Sequence, residues 1–257
     1  METVKIHRVL DCEENNRRLE GIGKCPMFYP VLFWILDKVP KTEQQRDFYN
    51  SLFLFMIYTG QRYVTICNIR LSDISAFRKS SRDDKMIVTI IARVTKGNNA
   101  FNQPYSIEGS IVSKLEGDEI MNFIYWLNET LKIYHNLDLQ NFDKWPKNKL
   151  ENKYLWGNPN SNYTKPISYK TVYEKNRRYY EKAGIPSKLL ALSSFRSGFY
   201  CQAYLNSINH RISIEVLNEL TMLIAGWRDL KTQKVYIKNK LDPLLTSKGR
   251  GIRPTPA

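Results

Sequence analysis

The stretch Leu52-Phe53-Leu54-Phe55-Met56-Ile57-Tyr58-Thr59-Gly60-Gln61-Arg62 runs out of an apolar helix, through a glycine stop, to an arginine. Upstream, Thr42 and Gln45 resemble a capping box that opens this helix. Gly60 is suited to end it, since a glycine takes the left-handed conformation of a helix stop without a Cβ penalty. Another helix is expected before it, from Pro26 to about Val39, where Pro40 breaks the pattern. Residues 1–23 are polar and without helical periodicity, and read as an arm or the remnant of a linker.

Beyond Arg62 a shorter helical segment is expected from Tyr63 to Leu71. Met86–Val94 (MIVTIIARV) is rich in β-branched residues and reads as a strand. Gly97-Asn98-Asn99 supplies turn chemistry, and Gln103–Ile107 reads as the returning strand, with Lys96 at the hairpin tip or on its flank. Helix resumes over Asp118–Tyr134, followed by a polar, irregular connection over Asn136–Thr164. Four further helices are expected: Ser168–Ala183, Ser194–Asn206, Ile212–Ala225 and Asp229–Lys240. The fold class is therefore mainly α with a small antiparallel β-sheet. Residues 24–245 form the main domain and residues 246–257 a C-terminal tail.

The chain of 257 residues carries 39 Lys and Arg against 25 Asp and Glu, a net charge of +14. Between Lys165 and Lys240 there are 14 basic and 5 acidic residues, so the excess is concentrated there. Such a field attracts polyanions, and a DNA duplex offers dense phosphate charge with counterions to release. Composition alone fits equally a basic protein kept soluble by its charge. Cys12, Cys25, Cys67 and Cys201 are scattered and the only histidines are His7, His135 and His210, a pattern for neither a structural zinc site nor a disulfide framework. The longest apolar runs, Val31–Leu36 and Leu52–Tyr58, are far short of a membrane span, and Met1–Glu20 lacks the pattern of a signal peptide. Abundant Asn, Lys, Ile and Tyr point to an AT-rich genome, such as that of a eukaryotic mobile element or virus.

Several motifs, in order, resemble the boxes of tyrosine recombinases, the phage-integrase-like family. Tyr58-Thr59-Gly60-Gln61-Arg62, followed by Asn68-Ile69-Arg70-Leu71-Ser72-Asp73-Ile74, resembles the first arginine box. Thr95-Lys96-Gly97 resembles the family's hairpin lysine. Ile167-Ser168-Tyr169-Lys170-Thr171-Val172 and Ala183-Gly184-Ile185-Pro186 are similar to the helix and turn before the second box, whose arginine core is matched by Phe195-Arg196-Ser197-Gly198-Phe199. Ala225-Gly226-Trp227, with Tyr236 nine residues beyond Trp227, is similar to the closing box and nucleophile. The likeness extends from about Lys24 to Leu241.

The resemblance implies a DNA strand transferase that forms a 3′-phosphotyrosyl bond through Tyr236 and needs no metal, small-molecule cofactor or ATP. It implies a homotetramer acting on two double-stranded DNA duplexes, and a second helical DNA-binding domain that residues 1–23 are too short to form. The chemistry is intelligible on its own terms. A phosphodiester opened without metal needs fixed cations around its non-bridging oxygens as charge develops, and guanidinium groups are permanently charged with paired donors. Arg62 and Arg196 are that expected clamp, although either alone reads as surface charge. Lys96 is the expected general acid for the departing 5′ oxygen, or else a solvated hairpin lysine. Trp227 stands where the family carries His or Trp and offers an indole N–H, or else is a core aromatic.

Two positions depart from the family pattern: Ser193 replaces the usual His or Lys three residues before Arg196, and Thr65 replaces an acidic residue three after Arg62. Both favour an alternative, a DNA-binding or structural protein that keeps the fold without catalysis. A type IB topoisomerase shares the chemistry, but the spacing of the boxes fits recombinases better. For DNA contact, the helix from Tyr169 to Tyr180 interleaves bases with aromatics. Lys170, Arg177, Arg178 and Lys182 are the expected phosphate or base contacts, with Lys231 further on; the plainer reading is a solvated face with the tyrosines packed inward.

Overall fold

The structure, a computed structural model, describes residues 26–225 apart from 41, 44, 80–83, 97–98, 117–119 and 186–189. The expected arm, the C-terminal tail, the helix Asp229–Lys240, and with them Trp227, Lys231 and Tyr236, lie outside the described residues. Seven α-helices are described: α1 (Tyr29–Lys38), α2 (Arg46–Thr59), α3 (Tyr63–Cys67), α4 (Phe123–His135), α5 (Tyr169–Lys182), α6 (Leu192–Asn209) and α7 (Ile214–Ala225). The strands β1 (Ile74–Arg78), β2 (Lys85–Lys96) and β3 (Asn99–Ser110) form one antiparallel sheet in the order β1-β2-β3, and β4 (Leu115–Glu116) pairs with β5 (Ile120–Met121).

Helix α2 is the axis of the core. From Phe48 to Ile57 every residue is buried, so the helix is enclosed on all faces, by α4 and α6 among others. One of its buried polar residues, Ser51, is satisfied inside: the hydroxyl donates to the Phe48 carbonyl at 2.9 Å, lies 2.9 Å from the Thr130 hydroxyl of α4, and accepts from the Trp156 indole at 3.0 Å. That node ties α2 to the connection over residues 136–164, which is irregular as expected yet packs Trp145, Leu150, Leu155 and Trp156 into the core.

Helix α2 stops at Gly60, which has φ +60° and donates its N–H to the Met56 carbonyl at 3.0 Å. Its start differs from expectation. Gln45 takes a left-handed φ of 61° and makes no side-chain cap, because the chain turns after Pro40 through backbone bonds from Glu43 to Pro40 and from Arg46 to Glu43. The Glu43 carboxylate instead meets Lys175 at 2.6 Å and Lys182, both on α5. These two ammonium groups hold its pKa down at about 2.

The first strand, Ile74–Arg78, was not expected. It pairs in register with β2, Ile74 opposite Ile90 and Ala76 opposite Val88, and these four residues are buried. The returning strand is longer than Gln103–Ile107, and Pro104 is accommodated because β3 is an edge strand. Helix α4 begins at Phe123 rather than Asp118. Asn122 caps it, accepting from the Ile124 N–H at 2.9 Å while its own amide donates to the Ser110 and Ser113 carbonyls at 2.6 and 2.7 Å.

Helix α6 packs closely on the chain entering α1. The Met27 N–H donates to the Ser194 carbonyl at 2.8 Å, and a Cβ on Gly198 would stand 1.7 Å from the Met27 oxygen. Only a glycine at position 198 allows this approach.

Candidate active site

The turn Gly60-Gln61-Arg62 leaves the buried end of α2 and begins α3, with Arg62 exposed at the position flanking its first turn. Arg196 lies half-buried on α6, and its Nη1 donates to the Gly60 carbonyl at 2.7 Å. The two arginine motifs, 134 positions apart in sequence, are therefore joined directly: the second guanidinium is pinned to the backbone two residues before the first. Phe199, one turn on from Arg196, packs against Gly60, where an added Cβ would stand 2.5 Å from its ring. The close fit of α6 on this turn sets where Arg196 can lie.

Around this pair the expected groups take different positions. Ser193 is exposed in the first turn of α6, three residues before Arg196. The hydroxyl that completes this helix start belongs to Ser194, which accepts from the Ala191 N–H at 2.9 Å. Thr65 is buried in α3. Lys96 is the last residue of β2, paired with Asn99 across the hairpin. Among the described residues no group of three His, Cys, Asp or Glu side chains is placed to hold a metal, and no helix is long and apolar enough to cross a membrane.

Gln61 and Tyr105 complete the site, and neither stands out in the sequence. Both are buried. The Gln61 amide donates to the Tyr105 hydroxyl and, at 3.0 Å, to the Ile224 carbonyl near the end of α7. The Tyr105 hydroxyl donates to the same carbonyl at 2.5 Å. Burial raises the pKa of the Tyr105 phenol, against smaller opposing effects of the Gln61 hydrogen bond and the Arg196 charge, so it stays a neutral donor.

On α5 the buried face is Val172, Asn176, Tyr179 and Tyr180. Arg178 is exposed. Lys170 and Arg177 are exposed and lie beside Glu174 (4.0 Å) and Glu181 (2.9 Å). Surface pairs of this kind are weak and leave the cations able to meet a phosphate. Lys182 is engaged by Glu43. The helix divides its tyrosines: Tyr179 and Tyr180 pack inward, as in the plainer of the two readings, whereas Tyr169 and Tyr173 are exposed and stacked, 6.0 Å between centroids, with Tyr63 edge-on to Tyr169 at 5.4 Å. In the sequence they stand at i, i+3 and i+4 spacing with Val172 and Asn176, the same side of the helix, so its periodicity gives no signal of their exposure.

Helices enclosing α2, a three-stranded antiparallel sheet and two arginine motifs meeting beside its hairpin together make the fold of tyrosine recombinase catalytic domains. Solved structures carry that statement. XerH site-specific recombinase bound to palindromic difH substrate, in a post-cleavage complex, superposes with a TM-score of 0.53 at 14% identity, covering 91% of this chain and 51% of that one. The XerH pre-cleavage complex gives a TM-score of 0.53 at 16% identity, covering 86% and 48%. XerA recombinase gives a TM-score of 0.50 at 15% identity, covering 89% and 65%. The chain thus spans about half the length of the XerH chains it matches. No protein-family model and no curated protein matches the sequence.

Proposed function

We propose that this chain is the catalytic domain of a tyrosine recombinase, which cleaves and rejoins double-stranded DNA through Tyr236. The observation that supports the reading is the bond from Arg196 to the Gly60 carbonyl, which joins the two arginine motifs on a mainly helical fold. A scissile phosphate there meets two permanent cations, one of them, Arg196, held beforehand by its bond to Gly60, the arrangement that stabilises a pentavalent phosphorane. The Tyr236 oxygen attacks phosphorus and its proton passes to solvent or a nearby base. The bond from phosphorus to the 5′ oxygen breaks, and Lys96 gives that oxygen a proton. The 3′-phosphotyrosyl ester keeps the energy of the broken link, so a 5′-hydroxyl can attack it and release Tyr236 without ATP.

The substrate is duplex DNA, drawn by the net charge of +14 and held in part by Lys170, Arg177 and Arg178 on α5, with Lys182 and Lys231 as further contacts. Trp227 offers its indole N–H to a phosphate oxygen. By likeness to recombinases the working unit is a homotetramer on two duplexes. A second reading, a DNA-binding protein that has lost catalysis, draws on Ser193 and the buried Thr65, which stand where a proton carrier and its acidic partner are expected. Trapping on nicked duplexes in excess chelator separates the two. The proposal expects covalent protein–DNA adduct, slowed about 10²–10³-fold by Arg62→Ala or Arg196→Ala. DNA binding with no adduct on any duplex supports the second reading.

A further inference from the structure

Three segments far apart in sequence meet at one carbonyl. Gln61 sits between the glycine that Arg196 grips and Arg62 itself, Tyr105 stands on the hairpin strand paired with the one that ends at Lys96, and Ile224 is in the last turn of α7. That carbonyl takes two side-chain donors: the Gln61 amide at 3.0 Å and the Tyr105 hydroxyl at 2.5 Å both donate to the Ile224 oxygen, and Gln61 also bonds Tyr105. The three contacts close a small triangle, and its two donor residues are 2% and 7% exposed. From Ile224 the chain continues through Ala225 and Gly226 to Trp227 and, twelve residues on from Ile224, to Tyr236.

We infer that Gln61 and Tyr105 are positioning residues that clasp the Ile224 carbonyl and so set the direction in which the chain leaves α7 toward its nucleophile. The inference rests on Tyr236 being that nucleophile. Neither residue touches the phosphate; they act through the backbone of α7. Two donors on one acceptor define a direction, where a single hydrogen bond would leave the helix end free to swing. Because one donor belongs to the arginine turn, the same triangle keeps the clamp and the nucleophile-bearing chain in register. Water can replace a hydrogen bond for stability at a helix end, but it cannot supply this cross-link.

Two conservative variants remove the donors while keeping bulk: Tyr105→Phe deletes one oxygen, and Gln61→Met keeps the length of the side chain. Each is compared with wild type for single-turnover adduct formation on nicked duplex, for affinity to the same DNA, and for thermal unfolding midpoint. A misplaced nucleophile costs up to about 100-fold in rate, so losses of about 10- to 100-fold are expected in adduct formation at saturating DNA. Affinity is expected to hold, and the midpoint to fall only by the small amount that losing one or two buried hydrogen bonds brings. The same fold loss is expected when the 5′ leaving oxygen is replaced by sulfur, because the clasp acts on attack and not on the departing proton. Wild-type rates in both variants overturn the inference, as does a rate loss that only tracks lost affinity or lost stability. If Tyr105→Phe does not fold, the rate of Gln61→Met decides. A wild type that forms no adduct overturns the underlying assignment of Tyr236, an outcome distinct from adduct formation that ignores the clasp.

Discussion

Replacing Gly60 by alanine strikes the junction of the two arginine motifs with a single methyl group. Gly60 has φ +60° and ψ 15°, a left-handed conformation that costs a residue with a Cβ roughly 1–2 kcal/mol. The new Cβ would also lie 2.5 and 2.7 Å from two ring carbons of the buried Phe199, and forcing that ring aside adds overpacking of about 1–3 kcal/mol. Together the change should cost about 2–5 kcal/mol. Gly184 is the internal control: its φ is +72°, but a Cβ there meets nothing within 4 Å, so Gly184→Ala should cost only the roughly 1–2 kcal/mol of conformational strain. Urea unfolding of both variants measures the difference through the midpoints at an unchanged slope. Adding Phe199→Ala should reduce the cost of Gly60→Ala toward that of Gly184→Ala, a coupling of about 1–3 kcal/mol. A Gly60→Ala protein no less stable than Gly184→Ala would show that α6 does not bear on this turn as described.

Lys96→Ala should slow cleavage of an ordinary phosphodiester but recover on a substrate with a 5′-bridging sulfur, which leaves without a proton; equal impairment on both removes Lys96 as general acid. Ser193→Ala should slow adduct formation far less than Arg196→Ala, because an exposed hydroxyl neither carries charge nor readily takes a proton near neutral pH; matching losses would make the hydroxyl catalytic. Glu43→Gln should destabilise the fold at neutral pH, since the carboxylate loses its two lysine partners on α5. With the native pKa held at about 2 against an ordinary 4.5, that stabilisation is complete above the ordinary value and fades as pH falls toward 2. Unfolding midpoints of wild type and variant should therefore converge over that interval, and a gap that stays constant with pH would contradict the role given to Glu43.

What could be read from the sequence was whatever is encoded locally. The apolar run ending at Gly60 gives α2 and its stop, Ser168 caps α5 with its hydroxyl accepting from the Thr171 N–H at 3.1 Å, and the β-branched run gives β2. Strand β1 has no strong signal in the sequence because Ile74-Ser75-Ala76-Phe77-Arg78 is short and mixed, and it becomes a strand by pairing with β2. Helix α4 starts at Phe123 and not at Asp118 because Asn122 caps it and gains two additional carbonyl partners that only the fold provides. The same division runs through the site. The Arg62 and Arg196 motifs are marked out by their order in the sequence, but the bond from Arg196 to the Gly60 carbonyl that joins them is tertiary. Gln61 and Tyr105 gave no signal at all, since their shared partner Ile224 lies 163 and 119 positions away. The exposed Tyr169 and Tyr173 share the helical phase of the buried Val172, Asn176 and Tyr180, so their exposure is decided by where the first turns of α5 lie on the fold and not by periodicity.

The central claim is that Tyr236 becomes covalently joined to DNA. The most direct measurement is to trap the protein on a nicked duplex that cannot be religated, digest it with protease and locate the nucleotide-bearing peptide by mass spectrometry, for wild type and Tyr236→Phe. Wild type should yield an adduct on the peptide containing Tyr236, and Tyr236→Phe should yield none while binding the same duplex. An adduct on a different tyrosine, or one that survives in Tyr236→Phe, would contradict the account.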